Sequence, residues 1–293
     1  MNSDSRAYLF LHIAVFLWGV TAILGKLITY NEYILVWYRT ALVSLSFLLL
    51  SKTHKGLKQV TWQQAIKIGG AGVIVAIHWI FFYGAIKYAN VSIALSLMAT
   101  VALMVSFIEP FITKRKFRIY EAMLGIAVIP GIYLIFYFSD TSYLVGIIMA
   151  LLSAFFAALF TSLNKKFIDY AEPFSFSFLQ ILGAFIFLSV WLPVYLRYFP
   201  NAMYIGSHLD YTYLLILAIF CTTIPYILYV IALKKLDAFT TSLANNLEPV
   251  YGIILAWLIF QENKEMDNRF YIGTLIIILT IFLQPILKKR FGK

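Results

Sequence analysis

Six ionisable side chains lie inside long apolar segments of this chain of 293 residues. The six are His12, Lys26, Arg39, His78, Glu109 and Glu248. An ionised group placed in hydrocarbon costs about 2.5 kcal/mol or more, so each needs a charged partner, a water-filled cavity or a path to the headgroups. The sequence contains no H-E-x-x-H, no G-x-S-x-G and no P-loop to accompany them. The pattern favours recognition of a solute over catalysis, and it indicates no cofactor and no metal site.

The ninth apolar segment carries the most regular polar pattern. Thr241, Asn245, Glu248 and Gly252 follow one another at i, i+4, i+7 and i+11. This spacing puts them on one face of a helix, and such a polar stripe faces protein or water rather than lipid. Pro249 lacks an N–H and frees a carbonyl near Glu248, which predicts a broken helix of the kind on which transporters build sites. We expect Glu248 to bind substrate or to gate its path; the alternative is interhelical hydrogen bonding by Asn245 and Asn246.

Aromatic residues with polar groups lie at matching positions of two other segments. Moving the sequence along itself by 148 residues places His78 on Tyr226. Aromatic faces hold planar or cationic solutes with about 0.5 to 2 kcal/mol per contact. The predicted substrate-binding set combines such aromatics with the polar pair of the ninth segment: Trp18, His78, Trp79, Tyr83, Tyr226, Tyr229, Asn245 and Glu248. For His78 the alternative is a packing role between helices.

Three further charged residues, Lys26, Arg39 and Glu109, are predicted to act in gating or charge pairing. Lys26 lies about one turn from the outer end of its segment, where it either lines the mouth of a cavity or reaches the headgroups. Arg39 lies about two turns below the surface, deep enough to bind a carboxylate of the protein or of a substrate. Glu109 is expected to form an ion pair at the inner interface, next to the basic cluster 114–118.

The composition identifies the solvent around these residues. Hydrophobic residues make up 62% of the chain and charged residues only 12%, against about 45–50% and 25% in an average soluble domain. Ten apolar windows are long enough to cross a bilayer. They cover residues 8–29, 34–51, 63–85, 91–112, 120–138, 143–163, 174–196, 212–233, 240–261 and 270–287. The sequence therefore predicts an all-α membrane protein of ten transmembrane helices with no separate soluble domain. Its single cysteine excludes an internal disulfide.

Basic residues alternate between the loops and predict the orientation. With the N-terminus in the cytoplasm, inside segments hold 17 Lys and Arg residues and outside segments hold 4. The inside set includes Lys165, Lys166, Lys234, Lys235 and the C-terminal cluster 288–293. Because cytoplasmic loops are enriched in Lys and Arg, both termini are predicted to be cytoplasmic. The net charge of +10 is thus attributed to basic residues of the cytoplasmic loops that face anionic lipid headgroups. It does not indicate a surface for nucleic acid.

The chain also repeats itself. The shift of 148 residues places segment 81–95 on 229–243, and a smaller shift of 138 to 141 aligns the earlier spans. We therefore divide the chain into residues 1–140 and 141–293, each with five spans. Because five is odd, the second half enters the membrane in the opposite orientation and the repeat is inverted. Two inverted halves can expose a shared site first to one side and then to the other, which is typical of transporters.

Several motifs resemble the drug/metabolite transporter superfamily and, within it, the EamA-type ten-helix exporters. The matching features are FLWGVTAILGK in the first span, Arg39 in the second, GAIKYANVSIAL at the start of the fourth, and NLEPVYGIILAWLIFQE in the ninth. The sequence departs from the family pattern at Val101, the counterpart of Pro249, and at Lys114, the counterpart of Glu262. The resemblance implies two EamA-like repeats, a central cavity between them and export of metabolites or drugs across a bacterial inner membrane.

These observations predict a secondary transporter that exports small metabolites, with amino acids as the favoured substrates, by alternating access. Proton coupling and oligomeric state stay open at this stage. A multidrug or cationic-compound exporter of the same fold is the first alternative, because the aromatic residues suit such solutes equally well. A membrane-embedded enzyme or scaffold without transport is the alternative from another class. Membrane lipid and a small-molecule substrate are the expected partners.

Overall fold

A computed structural model of the chain describes residues 3–114, 116–117, 119–233, 244–245 and 247–291. All regular structure in these residues is helical. The α-helices are α1 (Ser3–Leu27), α2 (Glu32–Leu48), α3 (Ser51–Leu57), α4 (Trp62–Tyr88), α5 (Val91–Met98), α6 (Val101–Thr113), α7 (Ile119–Phe138), α8 (Leu144–Phe167), α9 (Pro173–Tyr198), α10 (His208–Ala218), α11 (Ile224–Leu233), α12 (Glu248–Phe260) and α13 (Asn268–Phe291). Several residues singled out in the sequence lie outside the described part: Arg115, Arg118, Lys234, Lys235, Thr241, Asn246 and Lys293.

The helices agree with the predicted membrane segments to a large extent. Five helices of the described part are long and apolar enough to cross a membrane, and two bent helix pairs raise this number to seven. Three shorter apolar helices, Ile126–Tyr137, Glu248–Phe260 and Asn268–Thr280, coincide with the remaining windows. The chain is therefore a helical, multi-pass membrane protein. The count of ten spans and the side on which each terminus lies stay predictions.

One predicted span is divided into two shorter helices, and a turn is found at the equivalent position of the other half. Val91–Met98 is bent by 46° relative to Leu103–Thr113, and in the second half the chain forms a turn at Leu247 before α12 begins at Glu248. The shift of 148 residues places Ala99, which follows α5, on Leu247. Pro249 lies in the first turn of α12, where its missing N–H would have no partner in any case. Glu248 is thus a helix-start residue.

The helices of the two halves pack in a reciprocal pattern. Helix α4 lies against α8 and α9, and the corresponding helices of the second half, α10 and α11, lie against α2 and α1. In the same way, α6 packs on α8 while α12 packs on α1. Helices α7 and α13, the last of each half, pack on each other. Exchanging the halves preserves these partners, which is the arrangement expected of two repeats related by an axis between them.

Small residues allow the closest of these contacts. Gly72 of α4 faces the backbone of α9, where a Cβ atom would lie against the carbonyl oxygen of Gln180 and 2.8 Å from its carbonyl carbon. Gly19 of α1 has the same role toward α12, since a Cβ atom there would lie 3.2 Å from both the Glu248 carbonyl oxygen and the Gly252 nitrogen. Such small residues drive helix association in a bilayer, because lipid tails are as apolar as the side chains they replace.

Candidate functional site between the two halves

Arg39, in the middle of α2, is the charged residue at the centre of the interior. Its side chain is only 4% exposed. The Nε and Nη2 groups donate to the Thr222 hydroxyl at 3.1 and 2.9 Å, and Nη1 donates to the Tyr83 hydroxyl at 2.6 Å. The guanidinium carbon also lies 3.8 Å from the centre of the Trp79 ring. Arg39 thus joins α2 and α4 of the first half to the second half through Thr222.

A π-helical turn places Thr222 at this position. The turn covers Ile219–Thr223, between α10 and α11. The Thr222 hydroxyl donates to the Leu217 carbonyl at 2.8 Å, so its lone pairs are left to accept from Arg39. Pro225, just after the turn, has no N–H to donate to the preceding turn of helix, and a π turn accommodates such a loss. The helix is not interrupted at Pro225, contrary to what its helix-breaking character suggests.

The sequence pattern did not single out Thr222. The signal that could have found it is the pair of threonines two residues before a proline inside an apolar helix, because threonine hydroxyls can bond to backbone carbonyls of the same helix. Thr223 follows the same pattern and donates to the Ala218 carbonyl at 3.0 Å. The hydroxyls of Thr222 and Thr223 therefore bond to different carbonyls, and only that of Thr222 accepts hydrogen bonds from Arg39.

Within the described residues, no carboxylate oxygen lies within the 4.0 Å limit of an ion pair with Arg39. The protein carboxylate that the position of Arg39 suggested as a partner is therefore not found there. The Glu248 side chain is half-buried, and in the described part of the chain its carboxylate forms neither a hydrogen bond nor an ion pair. Neither Arg39 nor Glu248 thus has an ion-pair partner among the described residues.

Aromatic residues of both halves surround this space. Trp18 of α1 lies 6.0 Å from Tyr226 and 5.3 Å from Tyr229, measured between ring centres. Asn245 donates to the Tyr229 hydroxyl at 3.5 Å, while the Asn245 Oδ1 atom is buried without a hydrogen bond in the described structure. The Tyr226 ring also lies 6.4 Å from the ring of Phe47, between ring centres, which connects this aromatic group to α2, the helix that carries Arg39.

His78 is placed differently from the other predicted site residues. It is buried, and its Nδ1 atom lies 3.0 Å from the Ser153 carbonyl oxygen and 2.9 Å from the Ser153 hydroxyl. The same hydroxyl donates to the His78 carbonyl at 3.1 Å. Phe82 and Phe160 flank the imidazole ring. These contacts correspond to the packing alternative, in which His78 joins α4 to α8, and its role toward a substrate stays a prediction.

Lys26 forms an ion pair at one end of the molecule. Its Nζ atom lies 2.8 Å from the Glu262 Oε1 atom. Glu262 is fully buried and also accepts hydrogen bonds from the Val91 N–H, the Ser92 N–H and the Ser92 hydroxyl, at 3.1, 2.8 and 2.7 Å. The carboxylate therefore joins α1 and the start of α5 to the loop after α12. Glu262 was noted only as part of a motif, and its partner could not be identified from the sequence.

Other contacts lie at the same end of the molecule, which we call the Lys26 end because the ion pair of Lys26 and Glu262 lies there. The loop after α1 is held by Asp210, whose carboxylate accepts from the Thr29 N–H at 2.7 Å and from its hydroxyl at 3.0 Å. Lys87 donates to the Ile28 carbonyl at 2.8 Å. Asp210 lies inside the first turn of α10 and is 2% exposed. Buried, fully bonded carboxylates make this end of the molecule compact.

A second ion pair lies at the opposite end, between Lys165 of α8 and Glu109 of α6, at 2.5 Å. Glu109 is predicted to form an ion pair next to the basic cluster 114–118, and in the structure one partner of its carboxylate is Lys165. Lys165 corresponds to Lys26 in the alignment of the two halves, within the shift of 138 to 141 residues. The Lys165 side chain is 64% exposed and Glu109 10%, against 32% and 0% for Lys26 and Glu262. The pair at the Lys165 end is the more open of the two.

Two spaces are found along the protein surface near the site. A constricted crevice runs from the first turn of α9, at Pro173 and Phe174, to Tyr226. An apolar groove of about 400 Å³ lies between α4 and α9 and is lined by residues such as Phe81, Phe187 and Trp191.

In the described residues, no group of three or more His, Cys, Asp or Glu side chains could hold a metal ion.

Comparisons with known proteins agree with this architecture. The description "EamA-like transporter family" belongs to a family model that matches residues 5–137 and 144–284. An uncharacterized transporter of Clostridium kluyveri is 25% identical in an alignment of 289 positions that covers 94% of this chain and 91% of that protein. A solved crystal structure superposes with a TM-score of 0.64 at 14% identity and covers 98% of this chain and 99% of its own. At that identity the structure supports the fold alone.

Proposed function

The chain belongs to the EamA-like transporter family, and we propose that it exports small metabolites, with amino acids as substrates, by alternating access. The observation that carries the proposal is that the buried Arg39 bonds neutral hydroxyls of both halves, while Glu248 forms no ion pair within the described residues. A charged group inside a membrane protein is costly, and it is retained where it lines a substrate path. Arg39 belongs to the first half and Glu248 to the second, so a movement of one half against the other changes the site.

The two ion pairs at opposite ends support a gating role for Lys26 and Glu109. Lys26 with Glu262 closes one end tightly, whereas Lys165 with Glu109 lies in a more exposed setting at the other end. In alternating access, one of two gates opens as the other closes. We propose that the two ion pairs form and break in turn. Both pairs are formed in this structure, and the more exposed pair marks the end that we expect to open first.

The finer topology belongs to the same proposal. We assign residues 1–140 and 141–293 to two inverted repeats, place both termini in the cytoplasm and place the protein in a bacterial inner membrane. The two segments matched by the family model, 5–137 and 144–284, support this division. The reciprocal packing of the halves supports it independently. The distribution of Lys and Arg supports the orientation.

A second candidate function is export of cationic compounds. The observation in its favour is the half-buried Glu248, which lacks an ion pair in the described residues, with the Trp18, Tyr226 and Tyr229 rings nearby. An anion beside aromatic faces suits a cation. The Arg39 guanidinium opposes this function, because it would repel a purely cationic solute.

Counterflow in proteoliposomes tests the proposal with the full chain. Vesicles loaded with an unlabelled amino acid mixture are diluted into one labelled amino acid at a time, and protein-free vesicles serve as the control. We expect transient accumulation of at least one amino acid. Exchange of a cationic dye but of no amino acid would favour the second candidate. Exchange of neither would contradict transport of both solute classes. Repeating the assay with and without a pH gradient shows whether protons are coupled.

A further inference from the structure

We infer that the short helix α3, with the residues that flank it, is a binding surface for the headgroups of anionic phospholipids. Helix α3 covers Ser51–Leu57 and follows α2, the second predicted span. The sequence places basic loop residues near anionic lipid in general, and the structure gives this one segment a defined direction, anchor and support. The inference names a partner in the membrane, and it does not depend on which solute the protein transports.

Helix α3 turns away from the direction in which α2 runs. The two helices are bent by 84° relative to each other. Helix α2 has 17 residues, which extend about 25 Å and approach the hydrocarbon thickness of about 30 Å. With α2 crossing the bilayer, a bend close to a right angle directs α3 along the membrane surface. Helix α3 therefore lies at the level of the lipid headgroups.

Apolar residues on both sides of α3 fix this depth. Leu48 and Leu49, just before α3, are 42% and 78% exposed, and Trp62, at the start of α4, is 78% exposed. Leucine is favoured in hydrocarbon, and tryptophan is enriched at the boundary between hydrocarbon and headgroups. Lipid covers these three side chains in a bilayer. Helix α3, which lies between them in the chain, is thereby held against the headgroups.

Lysines without an acidic partner give this surface its positive charge. Lys52 and Lys55 of α3, and Lys58 directly after it, are exposed. Among the described residues, none of the three lysines forms an ion pair or a hydrogen bond. Glu172 lies beside α3, since a Cβ atom added at Gly56 would be 3.0 Å from the Glu172 Cβ atom. Three positive charges exceed this negative one, and basic residues next to a span attract anionic lipid.

Helix α9 of the second half supports α3 from the protein side. The Ser175 hydroxyl donates to the Thr53 carbonyl at 2.9 Å. Thr53 and Gly56 are buried, and Gly56 lies against the Ser175 side chain. The Lys52 Nζ atom lies 5.2 Å from the centre of the Phe174 ring. A surface held in this way loses little conformational entropy on binding. Because α3 continues α2, a lipid bound there lies on a contact between the two halves.

Lipid titration of the purified full-length protein in non-ionic detergent tests the inference. The probes are phosphatidylglycerol, phosphatidylcholine and glycerol 3-phosphate, and the midpoint of thermal unfolding at each concentration gives the affinity. We expect phosphatidylglycerol to bind at least tenfold more tightly than phosphatidylcholine. This preference should shrink in 1 M salt, where the Debye length falls to about 3 Å. Equal affinity for the two lipids would overturn the inference, and so would glycerol 3-phosphate binding as tightly as phosphatidylglycerol.

Paired substitutions assign the binding to α3. Lys55→Gln combined with Lys58→Gln should weaken binding of phosphatidylglycerol about 25-fold, which corresponds to about 2 kcal/mol for two lysines. The control combines Arg197→Gln and Lys264→Gln, two exposed cations. Arg197 lies at the end of α9 far from α3, and Lys264 lies two residues from Glu262. The control should keep the affinity of the parent protein. An equal loss in both double variants would show attraction by net charge alone and would overturn the assignment to α3.

Hydrogen exchange of the intact protein locates the bound lipid without any substitution. Phosphatidylglycerol should slow the exchange of the backbone amides in residues 51–59, whereas phosphatidylcholine should change it less. Residues 199–207, a loop at the far end of α9, serve as the internal control and should exchange at the same rate with either lipid. Equal slowing in both segments, or slowing in the loop alone, would contradict a binding surface at α3.

Discussion

Glu262 and Lys26, 2.8 Å apart, join the two halves of the protein at one end of the molecule. Glu262 is also the acceptor for two backbone N–H groups at the start of α5 and for the Ser92 hydroxyl. One carboxylate therefore contacts the first span, the fourth span and the loop that follows the ninth. Few single side chains in the described structure connect as many elements, and this gives the residue a large effect on stability.

Glu262→Gln should lower the stability of the protein. The amide keeps the size of the side chain but removes the negative charge that Lys26 and the α5 N–H groups require. A buried group that loses a charged partner costs about 1 to 3 kcal/mol. The measurement is the midpoint of thermal unfolding in detergent. Glu265→Gln, three residues along and exposed, is the control, and an equal midpoint for the two variants would contradict the structural role of Glu262.

Thr222→Val should weaken substrate binding through Arg39. Valine has the shape of threonine but leaves Arg39 Nε and Nη2 without an acceptor. The freed guanidinium is expected to change its orientation, and a loss of about 1.4 kcal/mol corresponds to tenfold weaker binding. Calorimetric titration with the best-bound amino acid measures the effect. Thr222→Ser keeps the hydroxyl and should bind almost as the parent protein does; equally weak binding by both variants would show that the hydroxyl is not responsible.

Gly72→Ala should destabilise the contact between α4 and α9. The added methyl group would lie against the Gln180 carbonyl oxygen, and the backbone of α9 would have to move. Overpacking of this kind costs about 1 to 3 kcal/mol. Gly70→Ala is a matched control two residues away on the same helix, where a Cβ atom meets nothing within 4 Å. The midpoints of thermal unfolding of the two variants are compared. Similar midpoints would mean that α4 and α9 are less closely packed than the structure shows.

Ser153→Ala should separate the two roles considered for His78. The variant removes the hydroxyl that lies 2.9 Å from Nδ1 and leaves the Ser153 carbonyl in place. If His78 joins α4 to α8, stability falls by about 0.5 to 1.5 kcal/mol while substrate affinity stays unchanged. Unfolding and titration of one preparation measure both quantities. A loss of affinity without a loss of stability would instead place His78 in the substrate path.

Much of the architecture could be predicted because the sequence pattern of a membrane span is local. A membrane span is a run of about 20 apolar residues, and such a run is recognised without knowledge of its neighbours. The predicted windows accordingly overlap helices along most of the length that the structure describes. The broken helix predicted from Pro249 stays a prediction, because residue 246 lies outside the described part. The bend after Met98 was not predicted, because Val101 stands where the counterpart of Pro249 would be.

The partners of the charged residues were harder to predict. Lys26, Arg39 and Glu109 were identified as costly inside a membrane, but none of their partners, Glu262, Thr222 and Lys165, was identified with them. Each partner lies on another element, between 56 and 236 positions away in the chain for the ion pairs. Which side chains meet depends on the rotation and tilt of each helix, and these are set by packing against neighbouring helices.

The sequence by itself determined that the chain is a helical membrane protein, which segments cross apolar surroundings and which ionisable residues are too costly to lie there without a role. These properties follow from composition and from runs of neighbouring residues, because hydrocarbon acts on each segment separately. Only the tertiary structure decided that Arg39 meets neutral hydroxyls, that Glu248 has no ion-pair partner among the described residues, and that Glu262 pairs with Lys26. Those relations arise between helices, where a rotation of a few tens of degrees replaces one partner by another.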